Sequence, residues 1–586
     1  MTIIRKIRTK IKEGMLQEMY TEAKWMFGYA KVYWKAIVFY ILMGVFGTVM
    51  GLGGSVASKN LINAVTGYDT GNIGWIVAAI IGMAVGSIVT NAISSRMSAK
   101  INVKIQNEIQ ADIYDKIMNT DWESLYEFRS GDLLNRLNND VATVAGSVIS
   151  WLPSLVTKLA QFIGALCIIL YHDPTMAVIA LLSAPVSLLV SNFLMKRMRG
   201  YNKRMREISS EMMSFHEDSF QNLQSIKAFD LIDVFSAKMR QVQGRYKQTS
   251  LEYNKFSIYT SSFMSVVGMI VSYSCFGWGV YRLWSGYIDY GTMTMFLQLA
   301  SSLSASFSAL ISLVPSAIGA TTSAGRVMSV VGLPKEIVLD NAKADHIAQQ
   351  TAEQGLTVKL QNVNFVYNDG NRVLEAANIT ACPGEIIAIV GPSGEGKTTL
   401  IRILLGLINP VSGTAEICDV DGEACVISAA TRKFFSYVPQ GNTIFAGTVL
   451  DNLRMVREDA TEEEVIEALK IACAYDFVQK MPNGIHSAIG ERGKGLSEGQ
   501  AQRLSIARAI LRDAPILLFD EATSALDVAT ERRVLSNVMK AGKKKTCIVT
   551  THRPSVLSMC DRVYRVEAFS IEKLSTEEAA KLAMEF

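Results

Sequence analysis

EIIAIVGPSGEGKTTLIRILLGLI, residues 385–408, reads as three successive elements. EIIAIV is a continuous apolar run of strand length, which suits a strand buried on both faces. LIRILLGLI repeats apolar residues at helical spacing. Between them, GPSGEGKTT (391–399) fits the pattern G-x-x-x-x-G-K-[ST], in the strand–loop–helix context that gives the pattern its meaning. Gly391, Gly394 and Gly396 let backbone amides converge on phosphate oxygens, with Pro392, Ser393 and Glu395 completing the loop. The start of the helix adds its positive end. Lys397 supplies a point charge for the terminal phosphates, and Thr398 offers a hydroxyl to Mg²⁺ with Thr399 behind it. The expected ligand is therefore the phosphate chain of a nucleotide with Mg²⁺.

Downstream, PILLFDE (515–521) reads as a second buried strand that delivers Asp520 and Glu521 to its C-terminal end, where ligands gather in such sheets. Asp520 suits Mg²⁺ through water, and Glu521 is placed as a general base for the attacking water. TCIVTT, a third strand, ends at His552, a candidate γ-phosphate contact. Gln440 follows the apolar-aromatic FFSYVP and is able to reach metal and water. Asp527, in SALD, borders the same site. Upstream, LTVKLQNVNFVY (356–367) alternates like a strand and ends at Tyr367, an aromatic able to stack on adenine. One feature is surplus to a single phosphate cradle: LSEGQ (496–500), a second anion loop with Ser497, Gly499 and Gln500 opening the helical AQRLSIARAIL.

Composition divides the chain near residue 330. Of 586 residues, 49% are hydrophobic and 19% charged, and the charge is concentrated in the C-terminal half. Net charge is +4, too small to argue for nucleic acid. The eight cysteines form no CxxC pair and there are five histidines, a pattern that suits reduced thiols better than a zinc site.

The N-terminal half carries six apolar stretches, at 35–57, 73–95, 143–171, 174–194, 256–284 and 293–331. Each reaches the ~20 residues that cross a bilayer. The segment before them, with its basic IIRKIRTKI, reads as an amphipathic helix on the inner leaflet, not a signal peptide. Connections after spans two and four are long and rich in Lys and Arg, which puts them, both termini and the polar half in the cytoplasm. The long connections look helical: KINVKIQNEIQADIYDKIM (100–118) repeats apolar residues at three and four. Two breaks, 121–133 and 217–230, mix aromatics with charge as docking tips would.

Lys158, within SLVTKLAQF, is the ionisable residue midway along a span. It is either a cavity-lining cation that meets substrate or a structural lysine, paired or snorkelling. The Ser/Ala-rich run of span six reads as close helix packing.

Taken together, the six spans, Tyr367, GPSGEGKTT, Gln440, LSEGQ, ILLFDE, SALD and His552, in that order, resemble a half-size ABC exporter, a fused membrane-then-ATPase chain of the ATP-binding cassette family. LSEGQ resembles the family's signature motif. The resemblance implies an α-helical membrane domain of six long transmembrane helices followed by an α/β P-loop ATPase domain with a helical subdomain. The expected segments are 1–33 (amphipathic), 34–331 (membrane), 332–355 (linker) and 356–586 (nucleotide-binding). It also implies that Ser497 and Gly499 cap ATP held by a partner, so that two chains complete two sites.

The implied function is ATP-driven export by alternating access in the cell membrane, of a peptide, drug-like amphiphile or lipid. A lipid flippase, an exporter-fold importer and an ATP-gated channel are the alternatives. A second copy of the chain is the favoured partner, ahead of a paralogous half-transporter, and membrane lipid surrounds both. IGERG (489–493) resembles the family's loop that senses the membrane domain. With only about thirty residues before the spans, no coupled leader peptidase is expected. Three departures stand out: Glu395 and Glu498 replace smaller residues, and the C-terminus VYRVEAFSIEKLSTEEAAKLAMEF lacks the usual Asp-Gly hairpin.

Overall fold

Apolar residues at every fourth position, Ile101, Ile105, Ile109 and Ile113, are all buried along one helix, Ile73–Met118. This helix holds 46 residues, more than twice what a bilayer requires, so span two runs on well past its apolar part. Spans four and five do the same in Pro174–Gln221 and Ile232–Trp284, of 48 and 53 residues. The computed structural model describes residues 15–67, 73–350, 355–392, 394–441, 443–490, 493–540, 544–551 and 553–585. It divides into two compact units. One comprises the chain up to Asp115 together with Ser130–Gly332; the other joins Lys116–Arg129 to Leu333–Phe586.

In the first unit, among the described residues, five helices are long and apolar enough to cross a membrane. They carry spans one (Trp34–Val65), two, three (within Ser130–His172), five and six (Tyr290–Val331). Span four falls in Pro174–Gln221, where the side chains of 182–197 lie outside the described residues. A helix of 18 residues, Met15–Val32, precedes span one. Its Tyr29 hydroxyl donates to Asp112 at 2.5 Å and the nearby Tyr33 hydroxyl to Glu108 at 2.8 Å, both on the extension of span two.

Side-chain bonds tie the span ends together. Asp173 caps Pro174–Gln221 by accepting from the Thr175 amide at 2.8 Å, and it also accepts from Arg282 Nε at 2.6 Å. Arg282 lies 4.1 Å from the Tyr287 ring centre. Asn63 accepts from the Gly291 amide at 2.9 Å, and a Cβ on Gly291 would stand 2.4 Å from the Lys59 carbonyl oxygen. Only glycine allows that approach. The serine run of span six divides by face. Leu303 and Ser306 are buried, as close packing requires, whereas Ser301, Ser304 and Ser308 line a cavity of about 540 Å³ with residues of span five.

Among the described residues, the second unit holds three sheets. The strands are β1 (Thr357–Val366), β2 (Arg372–Ala381), β3 (Ile386–Val390), β4 (Ser412–Cys418), β5 (Ala424–Val426), β6 (Phe435–Val438), β7 (Gly447–Thr448), β8 (Ala488–Ile489), β9 (Ile516–Asp520), β10 (Thr546–Thr550), β11 (Arg562–Glu567) and β12 (Ser570–Lys573). The main sheet runs β12-β11-β3-β10-β9-β6; β3, β6, β9, β10 and β11 are parallel and β12 is antiparallel. β3, β9 and β10 are buried throughout, which accounts for their unbroken apolar runs. A four-stranded antiparallel sheet, β2-β1-β4-β5, shares the core of its β3 side. A second core unites β9 and β10 with helices Val449–Arg454, Glu462–Ile471 and Glu498–Arg512.

Candidate functional site

β3 ends at Val390, and the chain turns through Gly391–Gly396 into helix Lys397–Leu404. Gly391 has φ 151°, and a Cβ there would meet the Val566 carbonyl oxygen at 2.2 Å. Gly396 caps the helix at φ 104°, with Val373 Cγ1 2.5 Å from where its Cβ would be. The loop is therefore a backbone-lined cradle that side chains would fill. Lys397 is buried, and its ammonium donates to the Gly391 carbonyl at 2.5 Å and to that of Pro392 at 3.0 Å. Burial lowers its pKa, against the pull of the Glu521, Asp520 and Glu395 charges. Gly394, at φ 91°, is open, Thr398 is exposed and Thr399 is buried. Ser393 lies outside the described residues.

Parallel register pairs Asp520 with Thr550 across β9 and β10. The Thr550 hydroxyl donates to Asp520 Oδ1 at 2.8 Å and accepts from the Glu521 amide at 2.9 Å. Burial raises the Asp520 carboxyl above its ordinary range, and Glu521 adds to this; the bonds from Thr550 and Tyr437 and the Lys397 charge oppose it. Glu521 takes a left-handed conformation, φ 48°, in which its Oε2 accepts from Gln440 Nε2 at 2.7 Å. Strained backbone of this kind is concentrated at functional sites.

Tyr367 stands edge-on to Phe365, centroids 4.9 Å apart. Its hydroxyl lies 2.9 Å from Thr399 Oγ1 and accepts from Arg402 at 3.0 Å. The cradle, Tyr367, Asp520, Glu521 and Gln440 thus form one neighbourhood. His552 lies outside the described residues, as do Glu491 and Arg492 of IGERG.

LSEGQ is built differently. Ser497 caps helix Glu498–Arg512 in a reciprocal box: the Gln500 amide donates to Ser497 Oγ at 3.3 Å, and Gln500 Oε1 accepts from the Ser497 amide at 2.9 Å. The Gln500 side chain is thus engaged in holding the loop. A Cβ on Gly499 would lie 2.9 Å from the Ala525 carbonyl oxygen. Ser497 and Glu498 are exposed. Asp527 is exposed as well and accepts from the Thr530 amide at 2.9 Å and hydroxyl at 2.6 Å, bonds that hold its carboxyl below the usual range.

Three participants escape sequence reading. Thr550 is one; its signal is a strand-end hydroxyl in register with Asp520. Arg402 is another: its guanidinium lies 4.6 Å from the ring centre of Trp122, on the short helix Trp122–Tyr126, while it also donates to Tyr367. The third concerns two of the departures, which meet. β11 and β12 join through Ala568 and Phe569, at φ 48° and 68°, and Glu395 accepts from the Ala568 amide at 3.1 Å.

Residues 37–307 match the family described as ABC transporter transmembrane region, and residues 374–524 the family described as ABC transporter. With both halves present in order, the chain belongs to the ABC transporters. It is an ATP-hydrolysing, multi-pass membrane transporter with the two parts fused. Among its relatives is a multidrug resistance ABC transporter ATP-binding and permease protein of Lactococcus lactis subsp. lactis (strain IL1403), 25% identical over 90% of this chain and 88% of that protein. Another is an ATP-dependent lipid A-core flippase of Syntrophus aciditrophicus (strain SB), 28% identical over 77% of this chain and 74% of that one. The fold is similar to that of a bacterial Atm1-family ABC exporter solved with ATP bound, with a TM-score of 0.79 and 20% identity, over 95% of this chain and 98% of the other.

Proposed function

We propose that the protein is an ATP-driven exporter that works as a pair of identical copies, carrying an amphiphile, peptide or lipid out of the cytoplasm by alternating access. One observation supports the pairing. The cradle neighbourhood and the LSEGQ loop are separate constructions: the hydrogen bonds of Ser497, Gly499 and Gln500 run to one another and to Ala501 and Arg503 of the same helix, and Gly499 packs beside the Ala525 carbonyl. Ser497 is left exposed at a helix N-terminus of 15 residues, which favours an anion. Each copy then holds ATP on Gly391–Thr399 and lends Ser497 and Gly499 to ATP on its partner. Segments 34–331 and 356–586 serve as membrane and ATPase domains joined by 332–355, with both termini in the cytoplasm.

Thr398, Asp520 and Gln440 offer the hard oxygen donors that suit Mg²⁺. A buried carboxyl beside a second carboxylate fits a cation. The ion would neutralise phosphate charge when bound. Glu521, aimed by its left-handed backbone and held by Gln440, takes the proton of the attacking water. Lys397 and the loop amides fix the phosphates.

The test is Glu521→Gln in the full chain in lipid. ATP binding is expected to persist while turnover falls about a hundredfold or more. Turnover near that of the unaltered protein would remove Glu521 as the base. ATP-dependent movement of labelled lipid between leaflets, without release of any soluble compound, would replace the exporter reading with a flippase.

A further inference from the structure

Lys158 sits at the middle of span three, and three explanations of a mid-membrane ammonium are open to test on the molecule. The first is an ion pair. The spans at 35–57, 73–95, 143–171, 174–194, 256–284 and 293–331 contain no Asp or Glu at all. Neither this chain nor a second copy therefore offers a carboxylate within the membrane. The second is snorkelling. A snorkelling lysine stretches along its helix until the ammonium reaches the water–lipid interface. Lys158 instead finds a polar partner about one turn away on its own span. Its ammonium donates to Gln161 Oε1 at 3.1 Å, three residues further along the span. Gln161 is itself fixed, donating through Nε2 to Ser302 Oγ of span six at 2.9 Å. The ammonium is thus engaged within the span by a polar relay from a second helix.

The third explanation is a ligand. An ammonium has three donor positions, and the described structure gives Lys158 one bond, to a neutral acceptor. Trp151, seven residues earlier and so on the same stripe of span three, has a buried indole N–H with no acceptor among the described residues. The stripe is rich in donors and has no anion of its own. A cation kept in the membrane without a protein counter-charge is costly, and a bound anion offsets that cost.

We propose that Lys158, oriented by Gln161 and Ser302, binds the anionic headgroup of the transported molecule, so that the substrate is an anionic amphiphile. This rests on the exporter reading and deepens it. The headgroup belongs either to a membrane lipid or to a free organic anion; carboxylate and phosphate share the chemistry.

The full-length protein is placed in nanodiscs of phosphatidylcholine. ATPase stimulation and tryptophan-fluorescence binding are titrated with two matched pairs: oleoyl lysophosphatidate against oleoyl lysophosphatidylcholine, and cholate against its methyl ester. In the unaltered protein the anionic member of at least one pair is expected to bind at lower concentration than its partner. Lys158→Gln raises the half-saturating concentration of that anion about tenfold or more, Lys158→Arg by no more than about threefold, and the uncharged or zwitterionic member is unmoved. Selectivity in the lysophospholipid pair alone identifies a lipid headgroup, and in the cholate pair alone a free anion; both sustain the site. Equal affinity of both variants for every anion, or no anion binding at all, overturns it. Binding is read without ATP. Loss of anion selectivity with ATP-driven transport intact therefore sinks only this inference, while anion binding without ATP-driven transport sinks only the exporter.

Discussion

Glu395 and the turn Ala568–Phe569 show how two unusual features account for each other. A two-residue hairpin of this hand needs positive φ at both central positions, which Asn-Gly supplies readily. Alanine and phenylalanine supply it at a cost of about 1–2 kcal/mol each. The Glu395 carboxylate, reaching from the phosphate loop, accepts the Ala568 amide and offsets part of that. Glu395→Ala is expected to lower stability by about 1 kcal/mol. The same change in an Ala568→Asn, Phe569→Gly background is expected to cost less, because the turn then holds itself; thermal unfolding of the four proteins as a double-mutant cycle measures the difference. Thr550 makes a second residue-scale case. Thr550→Val removes the donor to Asp520 and the nearer of two acceptors for the Glu521 amide, leaving that amide the Thr550 carbonyl at 3.3 Å, so stability falls by about 1–2 kcal/mol. The sequence makes Asp520 and Glu521 legible because an apolar strand ends in two carboxylates. Thr550 stays silent because its role depends on the β9–β10 register, which no local pattern states.

At the scale of elements, the spans and the strand–loop–helix unit were the most legible parts, since length and apolar period dictate both. The continuation of the spans beyond the bilayer was readable from the Ile101–Ile113 period. The two aromatic tips looked alike in sequence, yet in the structure they differ. The first forms helix Trp122–Tyr126, capped by Asp121 accepting the Ser124 amide at 3.0 Å. It belongs to the same compact unit as the cradle. The second, around Leu223–Ala228, leaves Phe220 and Phe229 about three-quarters exposed, at 73% and 74%. What separates them is Arg402, an unremarkable helix residue in sequence, whose guanidinium stacks on Trp122 and donates to Tyr367. One side chain thus joins the first tip to the aromatic expected to meet adenine. Arg402→Ala is expected to raise the KM for ATP several-fold. Arg402→Lys is expected to recover little of this, because a lysine lacks the flat face that stacks; steady-state ATPase kinetics of both variants decide the matter.

For the whole molecule, the issue is which phosphate loop each LSEGQ loop serves. If the protein works as the proposed pair of identical copies, related by a twofold axis, each site takes its cradle from one copy and its Ser497 from the other. A copy carrying Lys397→Ala keeps a sound LSEGQ, and one carrying Ser497→Ala keeps a sound cradle. Alone, either variant forms pairs in which both sites are damaged, and ATP turnover is expected to fall at least about tenfold. Coexpressed, a mixed pair contains one doubly damaged site and one made wholly of intact parts. With random assortment half the pairs are mixed, so the mixture regains roughly a quarter of full turnover, the ceiling if each site acts independently. Strict coupling between sites lowers that figure, but any turnover above the sum of the separate variants requires that parts be shared across copies. If each chain completed its own site, every copy in the mixture would carry one defect and mixing would restore nothing. Purification of the mixed pair through two different affinity tags, followed by ATPase assay, separates these outcomes.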